Sequence, residues 1–548
     1  MSSSAESSSI PFQRTYDGRR CKTATEYRNG GPVASESSPL LEPTDRPCSD
    51  SEELSKPTIF RQEMRTIATY ALPVFLSQLL EFSLVIVEVV SVGHISTASL
   101  AGVSLGSMTA SVTGLSVLQG ITSALDTLLP SAFTSTQPQL VGLWAQRMWL
   151  VVCFALLPIL ATWLNAERIL LVLRQEPEIA RLAALYLRWF SFGLPAFAFN
   201  CISRRYFQSQ GLFAVQNHII MIVAPINVLL NYLLVWGPKS TRLGFIGAPI
   251  ASSLSFTFIS ILSIIYGRYL APKTAWHPIS SKMFSNLGLL LRLGLGGIGQ
   301  TASEWWAWEL VALAASFLGP LNLASQSILL TSSATTFQAT YALSNATSIR
   351  VGNLLGEKNA RRAGVAATAS IAFALINSSI ISTIYLVFRN TWAHMFTSDP
   401  DVVTLVASVI PLIALFQVMD GNAAVTAGGI LRARGEQFIG ALLNISAYYV
   451  VGRFASRANG YQAQLLTFLR RSTGLPLGVW LAFRWDMGLH GLWTGLAVAL
   501  TYCAVIGSTL CYRTDWEREV AKVVERVEAE ERLRKATDEE DDPAQPMP

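Results

Sequence analysis

Apolar runs separated by short polar stretches dominate the chain between residues 66 and 512. Most runs reach the length of about twenty residues that an α-helix needs to cross a hydrocarbon core of about 30 Å. Because the backbone must satisfy its own hydrogen bonds in lipid, these runs predict helices, and they lack the alternation of β-barrel strands. The pattern predicts an all-α polytopic membrane protein of about twelve transmembrane helices. The predicted spans are residues 66–92, 99–125, 143–164, 182–203, 214–236, 246–269, 286–318, 322–347, 366–388, 401–430, 438–452 continuing after 474, and 489–512.

The two halves of this region repeat the same motifs in the same order. Gln208-Ser-Gln-Gly211 follows the fourth predicted span, as Arg432-Ala-Arg-Gly435 follows the tenth. Leu243-Gly-Phe-Ile-Gly247 opens the sixth span, as Met487-Gly-Leu-His-Gly491 opens the twelfth. Parallel repeats of this kind predict two six-helix lobes related by pseudo-two-fold symmetry about the membrane normal. The predicted divisions are a cytosolic tail (1–60), an amino-terminal lobe (61–275), a carboxyl-terminal lobe (280–512) and a charged cytosolic tail (513–548).

A polar segment, residues 453–474, interrupts the eleventh predicted span. Gly211 and Gly244 are 33 residues apart (244 − 211), whereas the matching Gly435 and Gly488 are 53 apart (488 − 435). The segment contains four arginines, which would cost on the order of 10 kcal/mol at membrane depth. One hypothesis is that it is a translated intron, which would belong to a non-functional product if retained. The other is that it is a genuine extruded loop between two half-helices that still pair.

Composition and charge agree with a membrane protein. Of 548 residues, 51% are hydrophobic and 14% charged, and the mean hydropathy is +0.39, whereas soluble proteins contain about 25% charged residues. The net charge of +5 comes from basic residues at span ends, and without a contiguous basic and aromatic surface it does not predict nucleic-acid binding. Six scattered cysteines and five distant histidines predict no disulfide framework, metal site or cofactor. No nucleophile constellation suggests an enzyme.

The tails and loops carry signals for location and orientation. Glu36-Ser-Ser-Pro-Leu40-Leu41, in a tail whose composition predicts disorder, resembles an acidic dileucine sorting signal. It predicts the vacuolar membrane, with the plasma membrane as the alternative and a chance pattern as the competing interpretation. The excess of Lys and Arg on one side places both tails in the cytosol. That count assigns Arg147, Arg204, Arg205, Arg350, Arg432 and Arg434 to cytosolic loops. The segment after Arg513 predicts a solvated surface helix with an acidic end.

Several carboxylates fall inside the apolar runs. A charge at the bilayer centre costs at least about 2.5–3.5 kcal/mol, so each is a functional candidate. They are Glu81, Glu88, Asp126, Glu304, Glu309 and Asp420. For Asp126 the alternative is a helix cap. For Glu81 and Glu88, seven residues apart on one helix face, the alternative is a buried structural pair.

The densest group is Ser303-Glu-Trp-Trp-Ala-Trp-Glu-Leu310. Glu304 and Glu309 are five residues apart and point about 140° away from each other on a helix, so they do not both face one ligand squarely. Trp308 shares the face of Glu304, which combines an acid with a π surface that binds cations. The alternative is a belt of tryptophans at the membrane interface.

Nine motifs in order resemble the multidrug and toxic compound extrusion (MATE) family of antiporters, in particular its eukaryotic, fungal-type branch. The resemblance extends over nearly all of residues 60–512. The motifs are Val92-Gly-His-Ile95, Ser123-Ala-Leu-Asp-Thr127, Tyr206-Phe-Gln-Ser-Gln-Gly211, Gly247-Ala-Pro249, Glu304-Trp-Trp-Ala-Trp-Glu309, Arg350-Val-Gly-Asn353, Gln417-Val-Met-Asp-Gly421, Gly428-Gly-Ile-Leu-Arg432 and Gly488-Leu-His-Gly-Leu-Trp493.

The resemblance implies a monomer in the lipid bilayer that exports or sequesters organic cations, xenobiotics or metabolites by alternating access. It implies exchange for protons rather than sodium, with coupling and cation recognition at the acids matching Glu304, Glu309 and Asp420. Glu88 stands where prokaryotic members keep an aspartate and is the candidate proton site of the amino-terminal lobe. Thr331 replaces a glutamate of some animal relatives. The expected aromatic lining is Trp305, Trp306, Trp308, Phe337, Tyr341 and Phe416. The alternative function is flipping of a lipid-linked or anionic substrate, which a wide basic cavity would favour.

Overall fold

The computed structural model describes residues 55–449 and 474–541, and within them the chain is helical without a β-strand. The sorting motif at Glu36, Leu40 and Leu41 and most of the predicted insertion lie outside the described residues. The helices are α1 (Lys56–Gly93), α2 (Thr97–Phe133), α3 (Leu140–Leu164), α4 (Pro177–Ser209), α5 (Ala214–Trp236), α6 (Gly244–Tyr269), α7 (Leu287–Phe317), α8 (Pro320–Gly356), α9 (Ala360–Val387), α10 (Pro400–Leu431), α11 (Gln437–Tyr448), α12 (Gly474–Arg484), α13 (Gly488–Tyr512) and α14 (Trp516–Asp541).

These helices coincide with the predicted spans but are often longer. α1 begins ten residues before its predicted start at residue 66, and α8 continues past residue 347 to Gly356. The added turns carry polar side chains, which the apolar pattern leaves out. Among the described residues, nine helices are long and apolar enough to cross a membrane. α7 and α8 are long enough, but α7 carries Arg292, Glu304 and Glu309, and α8 is rich in Ser and Thr.

The internal repeat is visible in the backbone. Gly211 and Gly435, at the ends of the matched motifs, have φ of +78° and +79°. Gly244 and Gly488, before α6 and α13, have φ of +62° and +54°. Side chains with a Cβ rarely adopt this left-handed conformation, which is why glycine stands at all four positions. α1–α6 and α7–α13 are therefore two copies of one plan, here called the amino-terminal and carboxyl-terminal halves.

The two halves meet closely at the end of the bundle where α1 begins, α13 ends and α14 lies, here called the tail face. There α2 crosses α7 at Gly120 and Gly297, where a Cβ on either glycine would overlap the backbone of the other helix. A Cβ on Gly352 of α8 would lie 2.9 Å from Cβ of Pro130 on α2. Glycines at these crossings let the helix backbones touch, so the tail face is tightly closed.

The eleventh predicted span consists of two separate helices whose ends meet. A Cβ on Gly474, the first residue of α12, would lie 3.0 Å from the carbonyl oxygen of Ala447 in α11. The chain between them, residues 450–473, is outside the described part. The half-helices are thus paired end to end, as the extruded-loop hypothesis expects. A translated intron at the same point would leave the same arrangement.

The prediction that the carboxyl-terminal helix is simply solvated is wrong. Glu530 of α14 forms a 2.5 Å ion pair with Arg147 of α3, and both side chains are almost fully buried. Asn286, before α7, donates a 2.9 Å hydrogen bond to Glu530. Arg434 lies 3.0 Å from Glu519. α14 therefore docks on the tail face and contacts both halves, because its buried acids match arginines there.

Candidate functional site

A cavity of about 620 Å³ lies between the two halves. α1, α2 and α4–α6 line it from the amino-terminal half, and α7, α8, α10, α11 and α13 line it from the carboxyl-terminal half. Irregular turns face it: α2 has a π-helical turn at Ser111–Leu115 and α10 has one at Ala424–Leu431. Such turns rotate the side chains that follow and occur frequently at functional sites. The cavity is therefore the candidate site.

Three carboxylates line the carboxyl-terminal side of the cavity: Glu304, Glu309 and Asp420. Asp420 is 5% exposed. None of the three makes an ion pair or a hydrogen bond within the part of the chain that the structure describes. Asp420 is buried and Glu304 and Glu309 are half-buried. Carboxylates without partners are costly in such surroundings, so these three differ from the acids that arginines neutralise elsewhere in the described residues.

Glu304 and Asp420 form one electrostatic group. Each interacts with Tyr448 of α11 and Cys503 of α13, and the two carboxylates interact with each other. Arg432 is a basic neighbour of Glu304. Because like charges oppose each other in a low-dielectric site, a proton or a cation bound at one carboxylate changes the affinity of the other.

Glu309 also lines the cavity, although it points about 140° away from Glu304. The cavity wall includes Gln300, Thr301, Trp305 and Trp308 of the same helix. These positions span about half the circumference of α7. Glu304 and Glu309 therefore lie toward opposite edges of this part of the helix surface, and both line the cavity despite the angle between them.

Trp308 is held by other aromatic rings. Its centroid lies 5.4 Å from that of Phe416 and 6.0 Å from that of Trp493. The indole N–H of Trp493 donates a 2.9 Å hydrogen bond to Gln326, which fixes that ring. Phe337 and Tyr341, whose centroids are 6.2 Å apart, also line the cavity. Trp305 and Trp308 line the cavity, so the alternative interpretation as an interfacial belt of tryptophans does not apply to these two residues.

Trp306 does not line the cavity, contrary to the expectation from the sequence. It is 45% exposed, and its indole N–H donates a 3.1 Å hydrogen bond to the carbonyl of Val112. The reason is helical geometry, because Trp306 lies about 200° around α7 from Glu304, outside the arc that faces the cavity.

Glu88 and Glu81 have different surroundings, so they are not a mutual pair. Glu88 is 6% exposed and accepts a 2.5 Å hydrogen bond from the Ser252 hydroxyl, with Tyr186 beside it. Its second carboxylate oxygen has no partner among the described residues. Glu81 is ion-paired with Arg204. Among the described residues, Glu88 is therefore the buried carboxylate of the amino-terminal half that has no basic partner.

Asp126 is not a helix cap, because no capping hydrogen bond is formed at this helix start. Its carboxylate accepts a 2.8 Å hydrogen bond from Arg205 and one of 3.4 Å from Arg432. Arg205 lies in the same half as Asp126, whereas Arg432 lies in the opposite half. Asp126 therefore joins the two halves where the cavity ends toward the tail face.

The sequence interpretation missed the basic residues of this cavity floor. Arg204, Arg205 and Arg432 line the cavity and are buried or half-buried, whereas the sequence pattern predicts them in cytosolic loops. The fourth predicted span ends at residue 203, two residues too early to include both Arg204 and Arg205, and the tenth ends at residue 430, two residues before Arg432. Arg432 could have been recognised from the sequence, because it is the first residue of a repeated motif whose first residue in the amino-terminal half is Gln208.

A second ion pair between the halves was also missed. Glu63 of α1 is fully buried and accepts hydrogen bonds of 2.6 and 2.8 Å from Arg350 of α8, and Arg362 of α9 also contacts it. Glu63 precedes the first predicted span, so the pattern of apolar runs does not mark it as an intramembrane acid.

Among the described residues, no group of three or more His, Cys, Asp or Glu side chains is placed to hold a metal ion.

Comparison with known proteins yields consistent matches. The family model named MatE matches residues 73–233 and 298–454, one segment in each half. An uncharacterized transporter of Schizosaccharomyces pombe is 36% identical over 518 residues, which cover 94% of this chain and 91% of the relative. The human multidrug and toxin extrusion protein 1 is 31% identical over 461 residues, which cover 84% of this chain and 76% of that protein.

Solved structures give the same fold. The crystal structure of the eukaryotic MATE transporter AtDTX14 matches with a TM-score of 0.77 and 26% identity, and covers 86% of this chain and all of that one. The Vibrio cholerae MATE transporter VcmN in its bent form matches with a TM-score of 0.68 and 15% identity over 86% of this chain and 99% of that one, which supports the fold alone.

Proposed function

Because this chain belongs to the MatE family of multi-pass membrane transporters, which are not enzymes, we propose that it exchanges organic cations, xenobiotics or cationic metabolites for protons. The relatives named for multidrug and toxin extrusion support this substrate class. Within the cavity, the supporting observation is the set of carboxylates that have no ion-pair partner among the described residues, Glu304, Glu309 and Asp420, beside the aromatic surface of Trp305, Trp308 and Tyr341.

A carboxylate without a basic partner can bind two different ligands, one after the other. A proton neutralises it by forming the acid, and an organic cation neutralises it by forming an ion pair, so the two ligands compete for one group. Trp308 adds a π surface that attracts a cation without requiring a particular shape. Competition between proton and substrate is the minimum that antiport requires, and a tolerant surface suits chemically varied substrates.

Glu88 is the proposed proton site of the amino-terminal half. Its hydrogen bond from Ser252 leaves one oxygen without a partner among the described residues. It lines the same cavity as Glu304 but on the opposite side. A proton at Glu88 would remove a second negative charge from the cavity during the return step.

The closed tail face supports transport by alternating access. With both tails in the cytosol, the contacts at Gly120 and Gly297 and the ion pair of Glu63 with Arg350 separate the cavity from the cytosol. Transport then requires these contacts to open in a second conformation. In the vacuolar membrane, the acidic lumen would supply the protons and cations would move from the cytosol into the vacuole. We expect a single chain to be sufficient.

The alternative, transport of an anionic or lipid-linked substrate, is favoured by the arginines of the cavity floor. Arg204 is ion-paired with Glu81, however, and Arg205 and Arg432 with Asp126. These pairs neutralise most of the basic charge, whereas the carboxylates on the other wall keep theirs. The charge distribution therefore favours a cationic substrate.

Uptake into proteoliposomes tests the proposal. We expect a pH gradient, but not an equal sodium gradient, to drive accumulation of tetraethylammonium, and we expect a sulfonated or phosphorylated anion of similar size not to accumulate. Accumulation of the anion alone would support the alternative, and the absence of any gradient-driven uptake would refute cation antiport. A lipid-flipping assay with a fluorescent lipid-linked substrate provides the second comparison.

A further inference from the structure

Arg432 connects an ion pair between the halves to the acidic wall of the cavity. Its Nη1 donates to Oδ2 of Asp126 in the opposite half at 3.4 Å. Its Nη2 donates to Oε1 of Gln300 at 3.4 Å, and Gln300 precedes Glu304 by one turn of α7. Glu304 is also within electrostatic range of Arg432. One guanidinium therefore interacts with a carboxylate on each side of the interface.

The surroundings of Arg432 belong to the closed tail face. The Thr127 hydroxyl donates a 2.5 Å hydrogen bond to the Arg432 carbonyl across the interface. Gln437, at the start of α11, donates 3.0 Å and 3.1 Å hydrogen bonds to Thr127 and to the carbonyl of Ser123. Arg432 is 8% exposed. Opening of the tail face would separate these groups and expose the guanidinium to water.

We propose that Arg432 transmits the charge on Glu304 to the tail face and keeps that face closed while the cavity is empty. It acts as a positioning residue, and the inference rests on the proton-coupled transport proposed above. With Glu304 ionised, the buried guanidinium has two anionic neighbours, Glu304 and Asp126. When a proton or a cationic substrate neutralises Glu304, one of them is lost. The closed conformation loses Coulombic stabilisation, while an open one hydrates Arg432.

The direction of this effect is the one an antiporter requires. An empty and ionised cavity keeps the tail face closed, so the tail face does not open without cargo. A cavity loaded with a proton or a cation weakens the contact and allows opening. Opening of the tail face is therefore coupled to a bound ligand.

Other charged and titratable groups modify the effect. Asp420 on α10, Tyr448 on α11 and Cys503 on α13 face Glu304. Arg205 faces Asp126 and Tyr341. Of these groups, Asp420 is the one that places a second carboxylate beside Glu304. Within this set, Arg432 is the residue that contacts both the opposite half and the acidic wall.

Cysteine labelling measures opening of the tail face. Ser131 of α2 is 3% exposed and lies against Gly356 of α8, so Ser131→Cys in a protein with its native cysteines replaced reacts with a polar thiol reagent only when the halves separate. Labelling rates of the detergent-purified protein are compared at about pH 5.5 and about pH 8.5. Each rate is divided by that of the exposed reference Lys273→Cys, which corrects for thiol chemistry.

We expect labelling to be about tenfold faster at the lower pH, because protonation of Glu304 weakens closure. Glu304→Gln should label rapidly at both pH values. Arg432→Gln and Asp126→Asn should also label rapidly, with a pH ratio near one, whereas Arg432→Lys should retain much of the ratio. Glu63→Gln is the matched control: it breaks another ion pair between the halves, so it should label faster but keep the ratio.

Retention of the full pH ratio in Arg432→Gln would overturn the inference, as would an equal loss of the ratio in Glu63→Gln. If Asp126→Asn does not fold, the comparison of Arg432→Gln with Arg432→Lys still tests the inference. The proposed function fails separately: an unmutated protein without gradient-driven cation uptake would refute antiport, whatever the labelling ratios are.

Discussion

Trp306 and Trp308 stand two residues apart on α7 but face opposite surroundings. Trp308 lies in the cavity wall, 5.4 Å from Phe416 between ring centroids, whereas Trp306 is 45% exposed on the outer side of the helix. The same residue type on one helix therefore provides both a test of cation recognition and its control.

Replacing Trp308 by leucine should weaken the binding of quaternary ammonium substrates. Loss of a cation–π contact worth about 0.5–2 kcal/mol predicts an increase in KM of about two- to thirtyfold. Trp306→Leu should leave KM within about twofold of that of the unmutated protein. Concentration-dependent uptake into proteoliposomes measures both values. An equal effect in the two variants would contradict the assignment of Trp308 to the substrate surface.

Glu304→Gln and Asp420→Asn should each abolish proton-driven transport, because an amide keeps the size of the side chain but cannot exchange a proton. Glu309→Gln should be milder, since that residue lies at the other edge of the cavity wall. Uptake under an imposed pH gradient is the measurement. Glu167→Gln, at an exposed acid, is the control and should transport normally. Full gradient-driven uptake by both Glu304→Gln and Asp420→Asn would refute their role in coupling.

Glu530→Gln should destabilise the protein, because it leaves Arg147 buried without its carboxylate partner. Breaking one side of a buried ion pair costs about 3–5 kcal/mol, so the unfolding temperature in detergent should fall by several degrees. The control is Glu528→Gln on the same helix, where the carboxylate is 57% exposed and its contact with Arg532 is 3.8 Å long. That exposed pair contributes little. A thermal denaturation curve unchanged by Glu530→Gln would contradict docking of α14.

Deletion of residues 453–474 should leave a folded and active transporter. The deletion joins Gly452 to Leu475, so a glycine again occupies the position of Gly474, which has no room for a side chain beside Ala499. α11 and α12 would become one helix of about 26 residues, about 39 Å long, which is sufficient to cross the membrane. Uptake by the deletion variant is the measurement.

Transport by the deletion variant does not distinguish a translated intron from a genuine loop. Sequencing the mature transcript does. A message that retains all the codons of the segment as its dominant form would refute the intron hypothesis. An alanine insertion of equal length placed within α13 serves as the control, since it should abolish folding.

Leu40→Ala together with Leu41→Ala should redirect the protein from the vacuolar membrane to the plasma membrane if the acidic dileucine motif is its address. Imaging of a fluorescently tagged double variant measures the change. Unchanged vacuolar fluorescence would remove the motif as the sorting signal. The matched control is Leu54→Ala, in the same tail but outside the motif.

The apolar pattern predicted the helices well because crossing a membrane depends on a contiguous segment and so can be recognised locally. It also marked Glu304, Glu309 and Asp420 as functional candidates, since a carboxylate inside an apolar run is conspicuous wherever its partners lie. Their place in the carboxyl-terminal lobe was implied by the family resemblance. The outward position of Trp306 was present in the sequence as well, because it lies about 160° around the helix from Trp308. That error came from treating neighbouring tryptophans as one group.

Ion pairs between the halves could not be predicted in the same way. Asp126 pairs with Arg205 and Arg432, which are 79 and 306 residues away along the chain. Glu63 pairs with Arg350 at a separation of 287 residues. Local periodicity carries no information about which distant residues meet. A cap and a structural ion pair also place the same residue type at the same helix end, so Asp126 was open to either interpretation.

The ion pair between Arg147 and Glu530 has a consequence for synthesis of the protein. Arg147 is made 383 residues (530 − 147) before Glu530. Until then, the partners described for Arg147 are the ring of Trp144, the carbonyl of Lys282 and the hydroxyl of Ser285, and none of them is charged. The nascent chain can thus place its spans in the membrane while this arginine still lacks its carboxylate. Docking of α14 therefore follows synthesis of all the membrane-spanning helices, and a chain that stops before α14 would keep those helices but leave Arg147 without its carboxylate partner.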